Sequence, residues 1–276
     1  MSLPDFPASC QLERTGPGTF EWSVPEGWLQ GRGAWGGLVV AAHVNAAEAE
    51  QNVTDQARRI RNVSAHLFGP LPPGPASVEA TCLRAGSAMT TWQVSITGSD
   101  GELASQAVVI AGIPRPVGSD ERWGTAQMPE LPNWADLASA PVRPPIGPEF
   151  GAHFDYRPVT GIPGAQAPPH ALGWLSPAGA LDDGNWDGWT AGTALGIVDA
   201  WWPASYVSMA AVRPMGTVSF SAHLLVEPST LQADEPLAYE AWVSATDDGF
   251  TSETRRLWSP DGRLVVENHQ AIVIIK

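Results

Sequence analysis

The chain has 276 residues, 43% of them hydrophobic, enough for two domains of about 130 residues each with its own core. A formal charge of -14, from 15 basic and 29 acidic residues, argues against nucleic acid or an anionic membrane as partner. The single lysine is Lys276, so Schiff-base and P-loop chemistry lack their key side chain. No run approaches the ~20 apolar residues of a membrane span. The N-terminal stretch lacks the basic start and apolar run of a signal peptide, so the expected compartment is the cytoplasm. Cys10 and Cys82 form no metal or redox spacing and are expected as free thiols.

Phe20–Val24 predicts a short strand, closed by Pro25, Glu26 and Gly27. Gly31, Gly33 and Gly36 match a dinucleotide GxGxxG, but no buried strand feeds them and no alternating strand–helix units follow, so the match fails on context. It leaves a helix N-terminus at Gly36 and Gly37, where bare backbone can approach a ligand oxygen, followed by helix-forming residues to about Glu50. From Arg61 the period changes to two, giving four strand-like runs at 61–68, 76–83, 89–97 and 103–111. One helix followed by an antiparallel meander is α+β, with the helix on one sheet face. Residues 113–148 are rich in Pro and charge and read as a linker.

The pattern then recurs. Short strands are expected at 154–157 and 173–176, a helix at 189–202, and four strands at 217–225, 237–244, 250–258 and 264–275. Individual residues repeat as well. Ser64-Ala65-His66-Leu67 returns as Ser221-Ala222-His223-Leu224, Asp100-Gly101 as Asp261-Gly262, and Gln106–Ile110 as Gln270–Ile274. Matches in the same order at similar spacing are an internal duplication. The expected organisation is an N-terminal unit 1–112, the linker 113–148 and a C-terminal unit 149–276, packed as a pseudo-dimer.

One residue of the second helix does not fit its surroundings. Asp199 puts a carboxylate into an apolar run near a helix C-terminus, where desolvation and the dipole both disfavour its charge. That placement raises a pKa toward the range of a general base. A purely local role, bonding backbone N–H groups before Pro203, is the alternative.

One long helix wrapped by an antiparallel sheet, duplicated in one chain, resembles the double hotdog fold. Trp35–Ala42, Leu83–Ser87, Asp100-Gly101 and Gln106–Val109 resemble the first half of the acyl-CoA thioesterase II family. Asp199–Ala204, Thr217–Leu224 and Gln270–Val273 resemble its second half. The resemblance implies hydrolysis of an acyl-CoA by an Asp on the second-half helix, a Thr or Ser on the next strand and a Gln on the last. By position these are Asp199, Thr217 and Gln270, with Ser219 expected to face the same way as Thr217. The family's Arg-Pro pairs are altered, since Gly69 precedes Pro70 and Glu227 precedes Pro228. A dimer of the chain also follows from the resemblance.

A thioester is already activated, so the chemistry needs a base, groups that aim water and an oxyanion donor. Asp199 is the expected base, Gln270 and Thr217 the water holders, and the Gly36–Gly37 backbone or its counterpart near Gly192 the donor. No metal or other cofactor is expected, since the six histidines show no HExxH or paired-ligand spacing, and no covalent Ser is signalled, since GxSxG is absent. The first-half helix carries His43 and Asn45 in place of an Asp, which implies one competent site per chain. Two other functions stay open: a non-catalytic acyl-CoA binder and, ranked last, a hotdog hydratase or dehydratase, which wants a His beside the acid where the helix around Asp199 has none.

Overall fold

The computed structural model describes residues 5–115, 124–181 and 186–275. The expected residues 116–123 of the linker and the terminal Lys276 lie outside them. A short helix α1 (Phe6–Ser9) leads into β1 (Glu13–Gly16), β2 (Thr19–Val24) and a two-stranded hairpin, β3 (Leu29–Gln30) with β4 (Gly33–Ala34). Helix α2 (Gly36–Thr54) follows, then β5 (Arg59–Leu67), β6 (Gly74–Ala85), β7 (Met89–Gly98) and β8 (Leu103–Gly112). The second half runs β9 (Phe154–Thr160), β10 (His170–Pro177), α3 (Ala191–Ile197) and α4 (Ser205–Ser208). It closes with β11 (Met215–Leu224), β12 (Leu237–Asp247), β13 (Phe250–Trp258) and β14 (Leu264–Ile274).

Twelve strands form one antiparallel sheet in the order β1-β2-β6-β7-β8-β5-β11-β14-β13-β12-β10-β9. Read outward from the centre, the two halves have the same order. The join is β5 against β11, where the repeated segments lie side by side and Ser64 faces Ser221 with hydroxyls 3.1 Å apart. Each half therefore lends the other a strand, and no central edge is left open. Alternation along the strands explains the layering: in β2 every second residue, Phe20, Trp22 and Val24, is buried under the helices.

α2 is buried along most of its length, from Gly37 to Gln51, so it forms the centre of the core. α3 packs across its start. The crossing is set by glycine: a Cβ at Gly196 would sit 2.5 Å from Gly37 O, and one at Gly37 would sit 2.4 Å from Gly196 O. Beside it Phe6, Trp28, Trp35, Phe150 and Phe154 form an aromatic cluster, with Trp35 stacked on Phe150 at 4.9 Å.

Two expectations need correction. The second helix, expected over 189–202, is helical only from Ala191 to Ile197. Thr190 starts it with a capping box to Thr193; it ends because Pro203 disfavours helical backbone at Trp202 and would clash with the carbonyl four residues back. Asp199 and Ala200 instead bond three residues back, in a turn that places Asp199 beyond the helix end. The Pro-rich stretch also does more than connect. Ala126, Met128, Leu131, Trp134 and Leu137 pack on Trp174, Ala238 and Trp258, and Arg157 holds Trp134 O at 2.8 Å.

Candidate active site

Asp199 sits where the α3 C-terminus meets the α2 N-terminus, 7% exposed. The backbone of its turn is held from two sides, by Trp35 Nε1 on Asp199 O at 3.1 Å and by Tyr156 OH on Ala200 O at 3.0 Å. α2 has no side-chain cap of its own. The Asp199 carboxylate faces that start across the crossing, where the Gly37 N–H helps to hold its pKa down and a Cβ at Gly36 would lie 2.9 Å from Asp199 Oδ2. The sequence pattern places the carboxylate at the negative end of one helix; the fold adds the positive end of another.

The three residues expected to act together do meet. Thr217 Oγ1 donates to Gln270 Oε1 at 2.8 Å, and Gln270 Nε2 donates to Asp199 Oδ1 at 2.9 Å. Gln270 Nε2 also donates to Asn268 Oδ1 at 3.0 Å. Both amide protons are thus spent inside the protein, so Gln270 aims Asp199 rather than donating to water. Thr217 spends its proton as well, and toward a ligand its oxygen can only accept.

Ser219 does not share this face. β11 pairs with β14 as Thr217↔Ile272 and Ser219↔Ala271, so Val218 is an extra residue, a bulge. Beyond it Phe220 lies opposite Gln270, which puts Phe220, Ala222 and Leu224 inward and Ser219 outward. Gly36 and Gly37 are at the site, but Gly37 is buried against Trp35 and Gly196 O and only Gly36 lies half-buried at its edge, beside Leu67.

Sequence reading missed the groups behind Asp199. In the β13–β14 register Glu253 lies opposite Gln270 and Arg255 opposite Asn268, a polar block on the inner face. Arg255 NH1 bonds Asp199 Oδ1 at 3.0 Å, and Arg255 Nε bonds Glu253 Oε1 at 2.7 Å. Glu253 Oε2 accepts the Ala204 N–H at 2.8 Å. Burial pushes the Asp199 carboxyl above the ordinary carboxylate range, while Arg255, Gln270 and Gly37 work against that rise. The available signal was the two-residue spacing of Glu253 and Arg255 on the face that ends in Leu257.

His43, on α2, is fully buried and bonds Ser105 Oγ at 2.9 Å. Arg58 pairs with Asp55 and Arg59 with Glu227. Among the described residues no group of three or more His, Cys, Asp or Glu is placed to hold a metal ion. No described helix is long and apolar enough to cross a membrane.

The duplicated helix-on-sheet units with an acid at the helix crossing define a double hotdog protein. The acyl-CoA thioesterase C-terminal domain matches residues 126–274 and the N-terminal domain of the same family matches residues 24–112. The chain belongs to the acyl-CoA thioesterase family, and it is a thioester hydrolase. No curated protein matches it significantly. Solved structures share the fold at low identity. A hot dog fold protein of unknown function from Alicyclobacillus acidocaldarius is 20% identical with a TM-score of 0.86, covering 98% of both chains. A candidate thioesterase II from Thermobifida fusca is 22% identical with a TM-score of 0.80, covering 100% of this chain and 99% of that one. A TesB protein of Mycobacterium avium subsp. paratuberculosis is 16% identical with a TM-score of 0.76, covering 100% of each.

Proposed function

We propose that the chain hydrolyses a fatty or related acyl-CoA to the free acid and CoA, with Asp199 as general base. The observation that carries this reading is the unbroken hydrogen-bond chain from Thr217 through Gln270 to Asp199. It leaves two acceptors for a water, Asp199 Oδ2 and the Thr217 oxygen. A water donating to both turns a lone pair toward the substrate carbonyl carbon.

Attack forms the carbon–oxygen bond as Asp199 takes the water's proton. The charge that develops on the carbonyl oxygen falls at the α2 N-terminus, where the Gly36 backbone is stripped of side chain. Collapse of the tetrahedral adduct breaks the carbon–sulfur bond, and the proton held by Asp199 passes to the departing thiolate. Burial serves this chemistry, because a carboxylate stripped of water is a stronger base.

Asp199→Asn tests the reading, since the amide keeps the size and can still accept from Gln270 and Arg255. Thiol release across saturated acyl-CoAs should fall at least ~100-fold, the scale of a lost general base, with the thermal unfolding profile retained. Full retained turnover removes Asp199 from the reaction. Tight binding of acyl-CoA by the native chain without thiol release would make it a binder.

A further inference from the structure

We propose that Arg255 is a positioning residue for this hydrolysis: it occupies Asp199 Oδ1 so that Oδ2 alone receives the proton, while Glu253 sets how much of its charge reaches Asp199. The inference rests on Asp199 acting as the base.

Oδ1 accepts from both Arg255 NH1 and Gln270 Nε2, at 3.0 and 2.9 Å. Oδ2 is turned the other way, toward Gly36 at the half-buried edge of the site. A carboxylate free to rotate would present either oxygen, and protonation of the inner one would do no work on a substrate. Two donors on Oδ1 remove that choice.

The same dyad fixes the segment that carries the base. Arg255 NH1 reaches Val198 O at 3.4 Å and Glu253 Oε2 holds the Ala204 N–H at 2.8 Å, so β13 grips the turn on both sides of Asp199. Arg255 and Glu253 side chains are 2% and 0% exposed, so neither is available to CoA. One cation therefore serves two buried carboxylates, and each draws charge from the other.

The other groups facing Asp199 do not supply this control. Gln270 and Asn268 of β14 are neutral amides. Tyr156 of β9 and Tyr239 of β12 are held protonated, their pKa values pushed up by burial. Trp35 and the Gly37 N–H, at the start of α2, do not titrate in the working range.

Removing the two charges in sequence gives opposite signs. In Glu253→Gln the whole guanidinium charge falls to Asp199, so the acid limb of the kcat/KM profile should move to lower pH. In the double variant Glu253→Gln/Arg255→Gln that charge is gone and the limb should move above the native position, the two variants differing by about one to three pH units. KM for octanoyl-CoA should stay close to native in both, because the dyad touches no substrate.

Profiles that coincide with the native one, or a limb that rises in Glu253→Gln, overturn the proposal. Glu253→Gln decides the sign even if the double variant does not fold. Asp199→Asn separates this inference from the reading beneath it. If that variant is inactive while the limbs stay put, only the role of Arg255 fails; if it is active, the base itself is misassigned.

Discussion

A buried histidine gives the fold a pH-sensitive residue outside the chemistry. His43 has no exposure; its Nε2 is matched by Ser105, and its Nδ1 has no hydrogen-bond partner. Burial lowers its pKa from the ordinary 6.5 to about 3. Between those two values the unfolded chain takes up a proton that the folded one refuses, so stability is full above pH 6.5 and falls as pH drops toward 3. At pH 5 this group alone costs about 2 kcal/mol, at 1.36 kcal/mol per pKa unit. His43→Gln removes the titration, so urea unfolding of native and variant between pH 7 and 5 should converge as pH falls. A stability difference that stays constant over that range rules the effect out. Sequence placed His43 on the helix but could not tell a matched nitrogen from an unmatched one. It singled out nothing at Arg255, whose charge lies on the buried face of β13.

The elements were more legible than the joints between them. Strand alternation fixed most of the meander, and the Ser-Ala-His-Leu segments at the ends of β5 and β11, which pair across the centre, announced the duplication; the Gln-Ala match of β8 and β14 is out of register, with Gln106 on the outer face and Gln270 on the inner. The bulge at Val218 was not legible, because Thr217 and Ser219 read as ordinary neighbours two apart unless the partner register is known. The short α3 was hidden for a related reason: apart from Asp199 the residues from Val198 to Trp202 are all apolar and buried or half-buried, and only their packing shows the change from helix to turn. The α2–α3 crossing depends on Gly37 and Gly196 approaching backbone to backbone. Gly196→Ala should gain up to ~1 kcal/mol of helix propensity. That gain is outweighed, because the new methyl meets Gly37 O at 2.5 Å and Phe6 Cζ at 2.8 Å, and a carbonyl oxygen in a packed helix cannot swing away. Overpacking of this kind costs typically 1–3 kcal/mol. Since Asp199 follows three residues on, thiol release should drop along with the urea midpoint. Gly86→Ala, whose methyl would lie 3.5 Å from Met89 O, is the tolerated control. Equal stability of the two variants would show that the helices have room to part.

At the scale of the whole molecule, the pseudo-twofold axis through β5 and β11 gives each helix start a partner residue on the other helix segment. A Cβ at Gly36 would meet Asp199 Oδ2 at 2.9 Å; a Cβ at Gly192, at the start of α3, would meet Asn45 Oδ1 at 2.3 Å. Asn45 is therefore the counterpart of Asp199. On the strands the axis at Ser64 and Ser221 relates Val63 to Phe220, whose partners are Val109 and Gln270, so Val109 stands where Gln270 does, and Gln106, expected from the repeat to be its equivalent, lies on the outer face opposite His66. The surroundings have diverged: Asn45 Nδ2 donates to Cys10 O at 2.9 Å. The pairing of β7 with β8 sets Trp92 opposite Val109 and Val94 opposite Ala107, so apolar side chains stand behind Asn45 where β13 and β14 have Glu253, Gln270, Arg255 and Asn268. Restoring the acid alone should not restore a site. In Asp199→Asn/Asn45→Asp, a carboxylate at 45 would face the Cys10 carbonyl with no proton to give. The unmet groups should cost about 1–3 kcal/mol, read as a lower thermal midpoint, while thiol release stays at the level of Asp199→Asn alone. Release above that level would mean that the N-terminal half needs only an acid to work, and that the β13–β14 polar block is dispensable.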